Sequence, residues 1–333
     1  MQRRQFIRQT SALALGTIAG PAAGFALGHA SPFELSLAEF SYAGELYGGK
    51  MTNMEFPAKA KNDHQINVLE YVSGFFNNKH TDPTYLKELK QRTDDLGMKN
   101  HLIMVDGENL ADLDVQKRKK AVESHYAWVD AAKYLGCSKI RVNLGDTARA
   151  ISGVPDDAPA EAAKTAAEGY RALLEYAAKQ NMDVIVENHF GNSTDVDWLV
   201  GVIKAVNMPN AGLLPDFGNF CAQRSKPTEP GIKGIMGTKC IKEYDKYEGV
   251  KKMMPYAKGI SAKSHKFNAA GDETEIDFYK MFRIIREAGF KGYVGIEYEG
   301  SIMNLFNPEA GHLPAKEGIA ATKKLLEKVW AKP

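Results

Sequence analysis

Short runs of apolar and β-branched residues recur along the chain, separated by longer stretches whose apolar residues fall at three- and four-residue steps. The short runs predict strands at Glu34–Phe40, Ile66–Phe75, Asn100–Val105, Lys139–Leu144, Asp183–His189, Gly212–Phe217, Gly259–His265 and Tyr293–Tyr298. The stepped stretches predict helices at Pro83–Leu96, Val115–Leu135, Glu161–Gln180, Asp195–Val206, Ile276–Ala288 and Ala315–Trp330. Gly97, Gly136 and Gly289 each stand just past a helix, where glycine tolerates the left-handed cap, and a strand follows within about four residues.

Eight strands alternating with helices predict an α/β fold, a (β/α)8 TIM barrel in a single domain, in preference to an open doubly wound sheet. No GxGxxG follows the first strand, which removes the usual dinucleotide signature. The Gly-, Lys- and Pro-rich segment Cys221–Gly249 reads as a loop over the barrel mouth, and Gly300–Pro314 as another.

The 333 residues, 44 % hydrophobic and 25 % charged, exclude disorder, collagen and coiled coil. Residues 1–30 read as a cleaved export signal: Arg3-Arg4-Gln5-Phe6-Ile7-Arg8, an uncharged Ala/Gly/Leu run, then Gly28-His29-Ala30. The paired arginines resemble the twin-arginine pattern, which implies a periplasmic protein with no stable membrane association after cleavage. Cleavage removes three arginines and no acid, so the net charge moves from +2 to −1. A near-neutral surface has no general pull towards nucleic acid. The run Lys117-Arg118-Lys119-Lys120 reads as a solvated helix face. Of the three cysteines, an oxidising compartment allows a Cys221–Cys240 bridge, and three free thiols fit equally well.

Active sites of such barrels lie at the C-terminal ends of the strands. There the chain places Val186-Glu187-Asn188-His189, Pro215-Asp216-Phe217-Gly218-Asn219, Ala262-Lys263-Ser264-His265 and Gly295-Ile296-Glu297-Tyr298-Glu299-Gly300. Alternation along a strand puts Glu187 with His189, Lys263 with His265 and Glu297 with Glu299. If these faces point inwards, Glu187, Asp216, His265 and Glu297 surround one point. Crowded carboxylates repel one another unless a cation neutralises them, so the expectation is one divalent ion, Mn²⁺, Mg²⁺, Co²⁺ or Zn²⁺. His101, His125 and Trp128 read as core residues.

These four segments resemble the xylose-isomerase-like sugar isomerase/epimerase superfamily, as do Leu69-Glu70-Tyr71-Val72, Ile103-Met104-Val105-Asp106-Gly107 and Ile140-Arg141-Val142-Asn143. The resemblance runs from about Phe33 to Val329. It implies that Glu187, Asp216, His265 and Glu297 bind the metal and that Glu187 and Glu297 are the acid/base pair. Many relatives order strand seven His-x-Lys, whereas this chain has Ser261-Ala262-Lys263-Ser264-His265, which makes Lys263 a substitute contact beside His265. His189, Lys263, Glu70 and Asn143 are the expected substrate-binding residues, and Glu299 orients a partner or caps a loop.

The implied chemistry is proton transfer beside a carbonyl: the metal polarises a ketone oxygen, one glutamate removes the adjacent proton, and the other returns it. Return to the opposite face is epimerisation, return to the next carbon isomerisation, and loss of a β-substituent elimination. Export favours an unphosphorylated sugar, keto-sugar or cyclitol, a small-molecule carbohydrate. Two alternatives stand beside the isomerase: a lyase or hydratase acting on a 3-keto-glycoside or cyclitol through the same site, and a barrel that binds sugar without turnover. Endonuclease IV, of the same superfamily, needs a three-metal cluster with many more histidines. Barrels of this kind often dimerise, so a homo-oligomer is a further option.

Overall fold

A computed structural model of the protein describes residues 33–145, 158–229, 234 and 237–332. The expected export signal lies outside them. Strands β1 (Phe33–Ala38), β2 (Val68–Val72), β3 (Lys99–Val105), β4 (Lys139–Val142), β5 (Asp183–Glu187), β6 (Ala211–Leu214), β9 (Ile260–Ser264) and β10 (Gly292–Tyr298) form one sheet in the order β6-β5-β4-β3-β2-β1-β10-β9. Every pairing in it is parallel. The ring closes between β6 and β9, where Ser261 N–H donates to Pro215 O (3.0 Å) and Phe217 N–H to Ser261 O (3.2 Å). The fold is therefore the expected (β/α)8 barrel.

Two segments expected as loops carry structure. Cys221–Gly249 contains an antiparallel pair, β7 (Cys221–Arg224) and β8 (Cys240–Glu243), tied by a Cys221–Cys240 disulfide, and then the start of a helix. Gly300–Pro314 opens with another helix. The helices are α1 (Ala43–Tyr47), α2 (Phe56–His64), α3 (Pro83–Asp95), α4 (Val115–Leu135), α5 (Pro159–Ala178), α6 (Val196–Val206), α7 (Lys246–Met253), α8 (Phe278–Glu287), α9 (Gly300–Phe306) and α10 (Ala315–Ala331). Asp82, Asp114, Asp195, Asp245 and Asp277 start α3, α4, α6, α7 and α8, each accepting a first-turn N–H with its carboxylate. Gly136 and Gly289 end α4 and α8 near φ 85° and 66°, as the sequence predicts.

Alternation along the strands divides the interior in two. Leu37, Tyr71, Ile103, Val142, Val184 and Ile296 belong to the large apolar cluster that also holds the helix faces. Leu102, Met104, Ile185 and Leu214 form a second, smaller cluster with Ala38 and Val72. The buried polar residues Ser36, Glu70, Arg141, Glu187, Ser261, Lys263 and Glu297 share strand parity with this second set. The β2–β3 register skips His101, whose buried ring packs 4.1 Å from that of Tyr293. His125 is likewise buried in the core.

Candidate active site

Glu187 is the last residue of β5, Asp216 follows β6, and Glu297 is the penultimate residue of β10. Parallel strands in a closed ring bring these ends to one mouth. The three carboxylates are at most 4 % exposed, and an oxygen of each lies within 4.8 Å of the others. Asn188 fixes Asp216 from the neighbouring strand, its amide donating to Asp216 O (3.1 Å) and its carbonyl accepting Asp216 N–H (2.8 Å). Asp216 Oδ1 in turn accepts the N–H groups of Gly218 and Asn219, both at 2.8 Å. Asn219 donates to Glu187 Oε1 (2.8 Å).

His265 does not join the carboxylates. Strand β9 ends at Ser264, so the chain is already turning at His265, and its ring lies between Glu299 (Nε2 to Oε2, 3.4 Å) and Glu275 (Nδ1 to Oε2, 3.5 Å). It belongs with Glu273 and Glu275 to a separate group. Glu273 is engaged there as a loop organiser, accepting the N–H groups of His265, Lys266, Glu275 and Ile276. The fourth position beside the carboxylates is held by Ser261, two residues before Lys263 and hence at the histidine's place in a His-x-Lys order. Its hydroxyl lies 2.9 Å from Asp216 Oδ2 and 2.7 Å from Glu297 Oε2.

Two buried cations enter the same cluster. Lys263 Nζ is 2.8 Å from Glu299, 3.7 Å from both Asp216 and Glu297, and 3.1 Å from Asn219 Oδ1. Its stem lies over Gly218, where a Cβ would meet Lys263 Cδ at 2.8 Å, so a side chain there would displace the lysine. Arg141 on β4 sets Nε 2.8 Å from Glu187 Oε2 and a terminal nitrogen 2.6 Å from Asp106, which Asn143 also contacts at 2.9 Å.

The expected substrate-binding residues separate by depth. His189 and Lys263 line a cavity above the carboxylates. Asn143 reaches it only through Asp106 and Arg141. Glu70 lies lower in the barrel, where it accepts a hydrogen bond from Ser36 (2.5 Å) and abuts Gly295 rather than the cavity. Arg141, Asp106, Ser261 and Asn219 are the participants the sequence reading did not assign. An arginine between Ile140 and Val142 in a short strand was the available signal, because a buried guanidinium needs acidic partners.

Burial dominates the electrostatics. It pushes Glu187 up to about 7 against the pull of Arg141, and raises Glu297 well above the usual carboxylate range despite Lys263. Glu299 moves the other way, since Lys263 and His265 outweigh its burial. Burial, aided by Arg141, holds His189 down at about 3. Phe190, beside it, adopts φ 55°, a strained value for a residue with a side chain. Its ring lies 5.8 Å beneath the Arg224 guanidinium of β7.

Arg141 thus pairs with Asp106 and Glu187, and Lys263 with Asp216, Glu297 and Glu299. Glu187 Oε2 is buried with no aligned hydrogen-bond donor among the described residues. The converging oxygens of Glu187, Asp216 and Glu297 fit a divalent cation held among them.

Residues 64–326 match the family described as "Xylose isomerase-like TIM barrel". The chain belongs to that family. An inosose dehydratase of Erwinia tasmaniensis is 24 % identical over 178 residues, half of this chain and 58 % of that protein. Among solved structures, an IolI protein with a bound zinc atom superposes with a TM-score of 0.64 at 16 % identity, covering 90 % of this chain and 98 % of that one. A D-allulose 3-epimerase from Methylomonas sp. gives 0.62 at 13 % identity, covering 89 % and 98 %. These structural likenesses are those of a shared fold. The match to the dehydratase spans little more than half of that relative.

Proposed function

We propose that the protein is a divalent-metal-dependent enzyme that moves a proton at a carbon next to the carbonyl of an unphosphorylated sugar, keto-sugar or cyclitol. The observation that carries this reading is the pair Glu187 and Glu297, buried within 4.8 Å of each other although their strands are separated in the ring by β6 and β9. A divalent ion on Glu187, Asp216 and Glu297 would supply Lewis-acid polarisation of the substrate carbonyl.

The remaining steps belong to the chain itself. One glutamate, as carboxylate, accepts the C–H proton; the other, as carboxylic acid, delivers a proton to the opposite face or to the neighbouring carbon. Without the ion, burial and mutual repulsion favour one proton shared between the two side chains. Lys263 and Asn219 orient Glu299 and Glu187, and His189, held neutral, lines the cavity while its Nδ1 is buried without a partner among the described residues. A three-oxygen donor set suits Mn²⁺ or Mg²⁺ better than Zn²⁺.

Solvent deuterium uptake into a keto-sugar tests the reading. Exchange by the metal-loaded protein, abolished in Glu187→Gln and Glu297→Gln, supports it; absence of exchange across keto-sugars and inososes defeats it. Elimination from the same carbanion is the second reading, favoured by the similarity to an inosose dehydratase. Product analysis separates the two, because elimination releases water or an alcohol and epimerisation releases nothing.

We further propose export through the twin-arginine pathway to the periplasm. The Cys221–Cys240 disulfide suits an oxidising compartment.

A further inference from the structure

The cavity above the carboxylates has a volume of about 670 Å³. Cavities of about 300–1,000 Å³ enclose ligands of drug size, and a single six-carbon sugar leaves most of such a space empty. The lining is also divided. Charged and polar groups come from β4, β5, β9 and β10, among them Arg141, His189, Lys263 and Glu297. The arc of β1 to β3, with α9 after β10, contributes Phe40, Ile302, Met303 and Phe306 over the buried Val72 and Met104, with Asp106 as the acidic group lining the cavity on this arc.

Nothing in proton transfer at a hydroxylated ring uses this second wall. It continues outwards as an aromatic shelf: Phe40 stacks on Phe75 with centroids 6.4 Å apart, and Tyr47 packs edge-on to Phe75 at 5.1 Å. On α9, Leu305 and Phe306 are left 50 % and 36 % exposed. Apolar side chains gathered at the rim of a pocket mark a surface that a ligand covers. The C–H face of a pyranose, or an aryl ring, is the chemistry that packs on such a wall.

We infer that the substrate is a two-ring molecule, a glycoside or disaccharide. Its keto- or cyclitol ring lies over Glu187, Asp216 and Glu297, and its second ring lies against Phe40, Ile302 and Phe306. The inference rests on the proton-transfer reading of the carboxylate site and specifies its substrate class.

Calorimetric titration of the Mn²⁺-loaded full-length protein with 3-keto-glucose, phenyl 3-keto-β-glucoside and 3-keto-cellobiose tests it. The expected result is a Kd roughly tenfold or more lower for the two-ring probes, the affinity that burying one further ring face adds. In Ile302→Ala/Phe306→Ala that advantage disappears while the 3-keto-glucose Kd is unchanged. Phe40→Ala, on a separate element, repeats the comparison if the double variant melts early. Equal affinities, failure of the two-ring probes to bind, or a preference indifferent to these variants would overturn the inference. Deuterium uptake in the same samples keeps the two readings apart. Exchange with equal affinities retains proton transfer and removes the two-ring substrate; ring-dependent affinity without exchange does the reverse.

Discussion

Arg141 and Glu187 meet as an ion pair inside the barrel, Nε to Oε2 2.8 Å, with side chains 4 % and 2 % exposed. The same guanidinium neutralises Asp106, so one cation supports two acids at the mouth. Arg141→Met leaves Glu187 uncompensated in a low-dielectric setting, whereas Asp106 is half exposed to water; losing one partner of a buried pair costs about 3–5 kcal/mol. Urea unfolding checks this. Arg141→Met/Glu187→Gln should recover part of the loss, and equal stability of the single variant and wild type would remove Arg141 from the account.

Lys263 competes with a metal for the same oxygens, its ammonium 3.7 Å from Asp216 and from Glu297. A unit charge at about 4 Å is worth about 1–4 kcal/mol between bulk water and a protein-like dielectric. Lys263→Met should therefore tighten Mn²⁺ binding by roughly tenfold or more. Titration calorimetry reads this directly; unchanged or weaker binding would mean that Lys263 does not face the ion.

The Cys221–Cys240 bridge closes a segment with a sequence separation of 19 and anchors the hairpin that carries Arg224 to the cavity. Removing a cross-link of that span costs about 3 kcal/mol on the chain-entropy account. Cys221→Ser/Cys240→Ser, or reduction with dithiothreitol, is expected to lower the unfolding midpoint accordingly. Midpoints that coincide with and without reductant would show the hairpin to be independent of its disulfide.

Two buried histidines contribute stability that mild acid removes. Burial, with Lys139 and Lys99 nearby, holds His101 down at about 3 against an ordinary 6.5, and burial holds His64 at about 4. Between pH 6.5 and 3 the unfolded chain binds a proton at position 101 that the folded chain refuses. The contribution of the neutral ring is thus full above pH 6.5 and lost as pH falls, by at most about 1.4 kcal/mol per pH unit. His101→Phe should flatten the slope of stability against pH over this window; a slope identical to wild type would mean the ring titrates normally.

The barrel and its three carboxylates were legible in the sequence because both follow from local rules. Strand runs and helix steps alternate, and Glu187, Asp216 and Glu297 close the fifth, sixth and eighth strand runs. His265 was misleading because parity says which face a residue takes but not where the strand stops; β9 ends one residue earlier, and Ser261 stands beside the acids instead. Arg141 and Asp106 were hidden because partners from different strands are known only once the ring closes. The hairpin carried no apolar periodicity, since Cys240–Glu243 is exposed throughout, and a disulfide helps hold its pairing.

Elemental analysis of protein purified without chelator, beside Glu187→Gln/Glu297→Gln, tests the central claim most directly. The account predicts about one divalent ion per chain, lost in the double variant while the fold, read by circular dichroism, is retained. A chain that holds no metal as purified and takes up none from Mn²⁺, Co²⁺ or Zn²⁺ would contradict it.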